Sequence, residues 1–295
     1  MKNANIKTVS QGCFSNTPVQ TAIIGENKLS RKMFANCDYL VNVSFSGEMI
    51  PQAAFQNCSS LQTVNAPFVT TISYLAFYHC PRLRNIDFPL LQRIEAGAFA
   101  FCNKLKSITT ETLSYIGIAS FYNCTSLEQI LLPANVKLQP PTKFRKMENE
   151  EWYHDFEYFG WGLYNSDGTP IQRQYNSDIY AICEQSIFGY CINLKKIYSL
   201  ITQPTAINDK LFFNVPKDLV TLYVPNVEDI VETYQMTLGW NEFKNIEPFD
   251  YISNITSPLG VADSLKEKYN LQGIKIDIPQ PGSIYIQGGR KRIAP

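Results

Sequence analysis

The sequence predicts a strand-dominated solenoid built from a repeat of about 22 residues. Four periodic columns predict it. Phe34, Phe55, Phe77, Phe99 and Phe121 recur at spacings of 21, 22, 22 and 22 residues. A cysteine follows each phenylalanine by three residues, at Cys37, Cys58, Cys80, Cys102 and Cys124. Leu40, Leu61, Leu83, Leu105 and Leu127 come three residues later, and Val43, Val64, Ile86, Ile108 and Ile130 three later again. One such unit cannot bury its own apolar stripe, whereas stacked units bury a continuous core with equivalent residues in columns.

Within a unit, L-x-x-[IV] reads as a short strand of a parallel sheet and F-x-x-C as the turn at a corner. A proline usually follows the strand. An Ile or Leu and a small residue (Ala54, Ala76, Ala98 or Ser120) then precede the next phenylalanine, as a narrow core requires. A degraded copy starts at Phe14, and another returns at Phe188 with Cys191, Leu194 and Ile197. Residues 1–138 therefore read as repeats, 139–186 as an insertion, 187–250 as final repeats with a helical cap, and 251–295 as a small C-terminal β-module. In the cap, 221–224 alternates as a strand and Pro225 ends it, with Asn226 the predicted N-cap. Glu228, Asp229 and Glu232 suit a helix N-terminus, and Ile230, Val231 and Tyr234 give its apolar face. Trp240 and Phe243 are expected to cover the end of the apolar column. In the tail, 274–278 and 283–287 alternate, and Gly288-Gly289 turns into a last strand over 290–294.

Eight cysteines invite a disulfide framework, but five stand once per repeat at one phase. Side chains on adjacent parallel strands are held about 4.7–4.9 Å apart, beyond the roughly 3.5–4.5 Å Cβ separation of a disulfide. They read as small buried hydrophobes with weak S–H donors. No C-x₂₋₄-C pair occurs, so zinc is not expected. With two histidines in the whole chain, a His-rich metal site is excluded. No metal or cofactor is expected.

Lys+Arg and Asp+Glu both number 26 in 295 residues, so the formal net charge is zero. That balance argues against a nucleic-acid binder and against a polybasic membrane anchor. No run approaches 18 apolar residues, so membrane insertion is not expected. The first residues, MKNANIKTVSQGCF, lack the apolar core of a secretory signal.

The insertion carries the functional expectation, because insertions in solenoids map to one face and often supply a binding surface. It holds Trp152, Tyr153, Tyr158, Trp161 and Tyr164 beside Asp155. These six form a candidate ligand-binding platform of rigid rings with a carboxylate acceptor. The alternative is a local mini-core that anchors a long loop. Glu150, Glu151, Asp155 and Glu157 also leave open a glycosidase pair, which needs carboxyl groups about 5–5.5 Å or 6.5–9.5 Å apart. No nucleophile-elbow, phosphate-loop, dinucleotide-binding or zinc-protease motif accompanies them. His79 beside Cys80 suggests a nucleophile pair only weakly, since Cys80 holds a ladder position. No catalytic residue is assigned, and the chain is not expected to be an enzyme.

FQNCSSLQTV, FYHCPRLRNI and FYNCTSLEQI resemble the BspA-like leucine-rich repeat of bacterial surface proteins, over about 14–138 and again over 186–248. The resemblance implies an α/β leucine-rich-repeat, right-handed solenoid in which strands dominate. It implies a non-catalytic binding or adhesion protein, at the cell surface or secreted, whose partner is a host extracellular protein, a glycan or another surface protein. A spacer within a surface complex and a carbohydrate-active enzyme are the alternatives. YNLQGIKI followed by PGSIYIQGGRKRI is similar to C-terminal modules of secreted Bacteroidetes proteins. The first repeat starts almost at Met1 with no evident capping unit, so a longer natural N-terminus is expected.

Overall fold

The computed structural model describes residues 11–25, 28–108, 110–138 and 186–250, together with the backbone of four short strands beyond 267. Among the described residues, column phenylalanines mark eight coils: Phe14, Phe34, Phe55, Phe77, Phe99, Phe121, Phe188 and Phe212. Successive rings in that column stack with centroids 5.1–5.7 Å apart and planes within 10°.

The second to sixth coils each contribute two strands, one to each of two parallel faces. On the first face, β1 (Thr21–Ile24), β2 (Asn42–Phe45), β4 (Thr63–Asn65) and β6 (Asn85–Asp87) form one sheet. There β8 (Ser107–Ile108), β10 (Gln129–Leu132), β12 (Lys196–Ser199), β13 (Thr221–Pro225) and β14 (Asn245–Phe249) form the next. The register pairs Val43 with Val64 and Val64 with Ile86, and likewise Ile108 with Ile130 and Ile130 with Ile197. The repeat period of the sequence is thus the ladder step of the sheet. The second face is a five-stranded sheet of β3 (Met49–Ile50), β5 (Thr71–Ile72), β7 (Arg93–Ile94), β9 (Tyr115–Ile116) and β11 (Lys137–Leu138). Its strands come from the Ile or Leu ahead of each phenylalanine, a segment not read as strand from sequence. Two residues give no room for alternation to show.

The third side is the F-x-x-C turn, and two left-handed residues shape it. Two residues before the phenylalanine stand Gly12, Lys32, Ala53, Leu75, Gly97 and Ala119, all with φ of 53–68°. Two residues after it stand Asn16, Asn36, Asn57, His79, Phe101, Asn123, Tyr190 and Asn214, with φ of 55–64°. Those conformations turn the amides along the stack. Asn57 N–H donates to Tyr78 O at 2.8 Å, and Phe101 N–H to Tyr122 O at 2.8 Å. The ladder therefore continues around the turn side, where no strand exists to provide it.

Every ladder cysteine from Cys37 to Cys191 is 0% exposed and a free thiol. Each thiol donates to the carbonyl of a column phenylalanine in the preceding coil. Cys58 reaches Phe34 O at 3.0 Å, Cys102 reaches Phe77 O at 3.1 Å, and Cys191 reaches Phe121 O at 3.2 Å. Most of these carbonyls also accept a backbone N–H, such as Cys37 N–H to Phe34 O at 3.2 Å, so the thiol occupies a second lone pair.

The insertion does not interrupt the stack. Phe121 N–H donates to Ile187 O at 3.0 Å, and β10 pairs residue for residue with β12. The coils that flank residues 139–185 in sequence thus pair directly with each other. At the C-terminal end, α1 (Ile230–Met236) is the one helix among the described residues. It starts later than expected. Asp229 is its N-cap, with a φ of 58° and no side-chain cap bond, whereas Asn226 donates to Asp250 Oδ1 at 3.0 Å. Pro225 ends β13 four residues before that cap, which leaves Asn226 in the connection rather than at the helix start. Trp240 and Phe243 are buried on Phe212, and Trp240 Nε1 donates to Thr205 O at 3.0 Å. Pro248 sits on edge strand β14, where it lacks an N–H for a further strand. The tail contributes an antiparallel sheet in the order β16 (Lys275–Ile276), β15 (Lys268–Tyr269), β17 (Ile284–Gln287) and β18 (Arg290–Ile293).

Neighbouring coils approach closely at Gly117. A Cβ there would stand 2.6 Å from Ala96 N and 2.8 Å from the carbonyl carbon of Glu95, both backbone atoms of the previous coil. Gly117→Ala is expected to destabilise by about 1–3 kcal/mol, because backbone cannot swing aside as a side chain can. A urea midpoint matching the unmodified protein would contradict that close approach.

Candidate binding surfaces

Trp152, Tyr153, Asp155, Tyr158, Trp161 and Tyr164 all lie outside the described residues, as do Glu150, Glu151 and Glu157. The structure does place His79 and Cys80. His79 is exposed on the turn, while the Cys80 thiol is buried and donates to Phe55 O at 3.1 Å. Burial pushes that thiol's pKa upward, so it stays protonated and inert. The two side chains face opposite sides of the coil and do not form a nucleophile–base pair. Among the described residues no cluster of three His, Cys, Asp or Glu could hold a metal ion, and no helix is long and apolar enough to cross a membrane.

Two clusters of aromatic rings lie on the outer sides of the coils. The first runs along the turn side. Its rings, one per coil, come from Tyr78, Phe101, Tyr122, Tyr190 and Phe213. Consecutive rings meet edge to face, with centroids 5.4–5.6 Å apart and planes at 65–77°. The chain builds this zipper by alternating two positions. Tyr78, Tyr122 and Phe213 directly follow the column phenylalanine and are followed by His79, Asn123 and Asn214. Phe101 and Tyr190 stand one residue later, behind the small Ala100 and Gly189. A Cβ at Gly189 would come within 3.0 Å of the Tyr122 ring, so the small residue makes room for its neighbour's aromatic. Tyr122 is buried at 8% exposure, and the other four rings are partly exposed. The alternation was legible in the sequence, but it follows no single phase of the repeat and so is invisible to a period search.

The second surface lies on the outer side of the first face. Leu131 and Tyr198 are buried although their neighbours Ile130 and Ile197 point into the core. Tyr198 stacks on Tyr223 at 4.8 Å and 13°, and Phe249 packs edge-on against both rings. On the second face, the Arg93 guanidinium lies 3.8 Å over the Tyr115 ring and pairs with Glu95 at 3.2 Å. Burial raises the Tyr115 pKa, opposed by the neighbouring Arg93.

The family model for the BspA-type leucine-rich repeat region matches residues 2–41 and 27–150, with six copies. Among solved structures, a leucine-rich repeat protein of T. pallidum is similar at 20% identity, with 70% of each chain covered and a TM-score of 0.40. A leucine-rich repeat protein of Bacteroides ovatus shows 19% identity over 68% of this chain and 47% of its own, with a TM-score of 0.37. A leucine-rich cell surface protein of Faecalibacterium prausnitzii shows 17% identity over 83% of this chain and 86% of its own, at a TM-score of 0.31. No curated protein matches the sequence.

Proposed function

We propose, for a chain that belongs to the BspA-type leucine-rich repeat family, a non-catalytic binding role outside the cell, with a host extracellular protein or a glycan as partner. The observation that supports it is the backbone at Phe101 and Tyr190. Five coils use asparagine at that left-handed position, the residue that tolerates it best after glycine. Phe101 and Tyr190 hold bulky rings there, at a cost of about 1–2 kcal/mol each. Each ring makes two edge-to-face contacts at about 0.5–1.5 kcal/mol per pair, so strain offsets much of what the rings gain. Phe101 and Tyr190 do add partly exposed rings to the turn side, on both sides of buried Tyr122, and aromatics are the residue type enriched at recognition sites.

The test is a binding screen of the purified chain against arrayed glycans and extracellular-matrix proteins, beside a Phe101→Asn/Tyr190→Asn variant. That variant carries what the neighbouring coils carry. Its stability is expected to change by less than about 1 kcal/mol per site, strain relief offsetting lost ring contacts. Binding is expected to fall at least about tenfold, the loss of one interface aromatic being about 1.4 kcal/mol or more. A ligand held equally well by both proteins would remove the zipper from the site. A Trp152→Ala/Trp161→Ala variant in the same screen reads the contribution of the insertion. No ligand for any of the three would favour the spacer reading.

A further inference from the structure

In a chain with zero net charge, six exposed cations line one ridge. Arg82 and Arg84 flank buried Leu83 in the fourth coil, and Lys104 and Lys106 flank buried Leu105 in the fifth. Lys195 and Lys196 follow buried Leu194 in the seventh coil. The backbone holds these positions in columns. Arg84 N–H donates to Gln62 O, Glu128 N–H to Lys106 O and Lys195 N–H to Glu128 O, at 2.8–3.2 Å. Ser107, Gln129 and Lys196 occupy one register position on the adjacent strands. Each exposed–buried–exposed triplet puts both flanking cations on the solvent side.

Little on the protein neutralises this ridge. Glu128 is the one carboxylate in its columns, 4.0 Å from Lys106 Nζ, and the Arg84 guanidinium donates to the neutral Gln62 Oε1 at 2.6 Å. Arg82, Lys104, Lys195 and Lys196 form no ion pair among the described residues. Exposed carboxylates gather instead at the capped end, at Glu228, Asp229, Glu232, Glu247 and Asp250. Like charges stacked across neighbouring strands cost stability. The cost vanishes when a polyanion displaces the counterions they gather.

We propose that this ridge, over the fourth to seventh coils, binds a linear sulfated polysaccharide. Cations of the fourth and fifth coils stand one coil step of about 4.8 Å apart, those of the seventh lie two steps further on past Ser126 and Glu128 of the sixth, and the Asn103, Ser107, Gln129 and Asn193 side chains between them suit sugar hydroxyls and sulfate oxygens. The aromatic zipper passes beside the ridge, Phe101 lying three residues ahead of Lys104, so ring faces and charges border one path. The extracellular reading above sets which polyanion the ridge meets, and the proposal rests on it to that extent.

The test measures binding to heparin, to dextran and to a single-stranded DNA oligonucleotide, over a series of salt concentrations. The variant is Arg82→Ser/Arg84→Gln/Lys104→Ser/Lys106→Gln. It takes the residues that the third coil carries at the same positions (Ser60 and Gln62), so the fold is kept, and a thermal melt checks this. Heparin affinity is expected to fall on the order of a hundredfold between about 50 and about 200 mM salt, as about four released counterions require. The variant should bind at least about tenfold more weakly with a shallower salt slope, while Lys137→Gln on the second face leaves both unchanged. No heparin binding by the unmodified chain would overturn the proposal, as would an unchanged affinity in the variant. DNA bound as tightly as heparin would also overturn it, since the ridge would then answer to charge alone. If heparin fails while Phe101→Asn/Tyr190→Asn still abolishes another ligand, the ridge proposal falls and the zipper reading stands. If heparin binds and the zipper variant binds it equally, the ridge proposal stands without a contribution from the zipper rings.

Discussion

Raising the pH from about 8 to about 10 is expected to unfold the solenoid, because six buried thiols resist ionisation together. Burial is the largest cause at each of Cys37, Cys58, Cys80, Cys102, Cys124 and Cys191, and it pushes every one of them above the ordinary thiol value. Most also face a neighbouring thiol in the next coil, which would be a second negative charge. A folded pKa above the unfolded one means that the native state keeps a proton the unfolded chain has already released. The stability each thiol contributes is therefore complete below about pH 8.5 and is lost as pH rises from there toward the folded value. One group costs up to about 1.4 kcal/mol for each pH unit between its unfolded and its folded value, and the costs of six groups add. A domain is stable by only about 5–15 kcal/mol, so the sum is of the same order. Tyr234, pushed up to about 12 by burial against its hydrogen bond with Ser199, extends the decline at still higher pH. Urea midpoints measured under reducing conditions at the two pH values check the expectation, and equal midpoints would refute it. Cys80→Ser/Cys102→Ser removes two of the six titrating groups and should make the decline about a third shallower.

The same ladder shows why so much of the fold was legible. Phe, Cys, Leu and [IV] recur at one phase, so each copy reinforces the others, and from Phe34 to Ile197 all but Ile86 of these column residues are buried. Where a feature did not repeat in phase, the sequence was silent about it. Phe212 joins the column after a spacing of 24 residues, with Val215 where cysteine would stand, and it passed unread as an eighth coil. The second face was missed because strands such as Thr71–Ile72 are too short for a two-residue period. The aromatic zipper switches position from coil to coil, which cancels its own periodicity. The basic ridge was hidden by addition, since a net charge of zero also describes cations on one ridge and carboxylates at one end. Composition therefore argued correctly that the whole chain is not strongly basic and could not speak for one face of it. The six residues of the insertion stand where the sequence left them, outside the described residues.

Phe99→Ala is expected to cost about 3–5 kcal/mol, the range for emptying a fully buried phenylalanine site. Phe99 is 0% exposed and has a stacked ring on both sides, Phe77 at 5.3 Å and Phe121 at 5.6 Å, with Phe88 at 6.5 Å. The backbone around it is pinned by ladder bonds on both sides, such as Phe77 N–H to Ala98 O and Phe99 N–H to Ser120 O, so neighbouring coils cannot close over the void. Phe14 is the contrasting site. It is partly buried and has one stacked neighbour in the column, Phe34 at 5.3 Å, so Phe14→Ala should cost under about 2 kcal/mol. The difference has a second signature. In a solenoid each coil is stabilised by its two neighbours, so a defect at the fifth of eight coils weakens the coupling between halves, whereas a defect at the first frays one end. Phe99→Ala should therefore broaden the urea transition or split it in two, and Phe14→Ala should shift it without broadening. Equal costs and equal slopes for the two variants would mean that the phenylalanine column does not transmit stability along the stack. The stacked geometry would then be a by-product of the sheet ladders, and the coupling would reside in the hydrogen bonds alone.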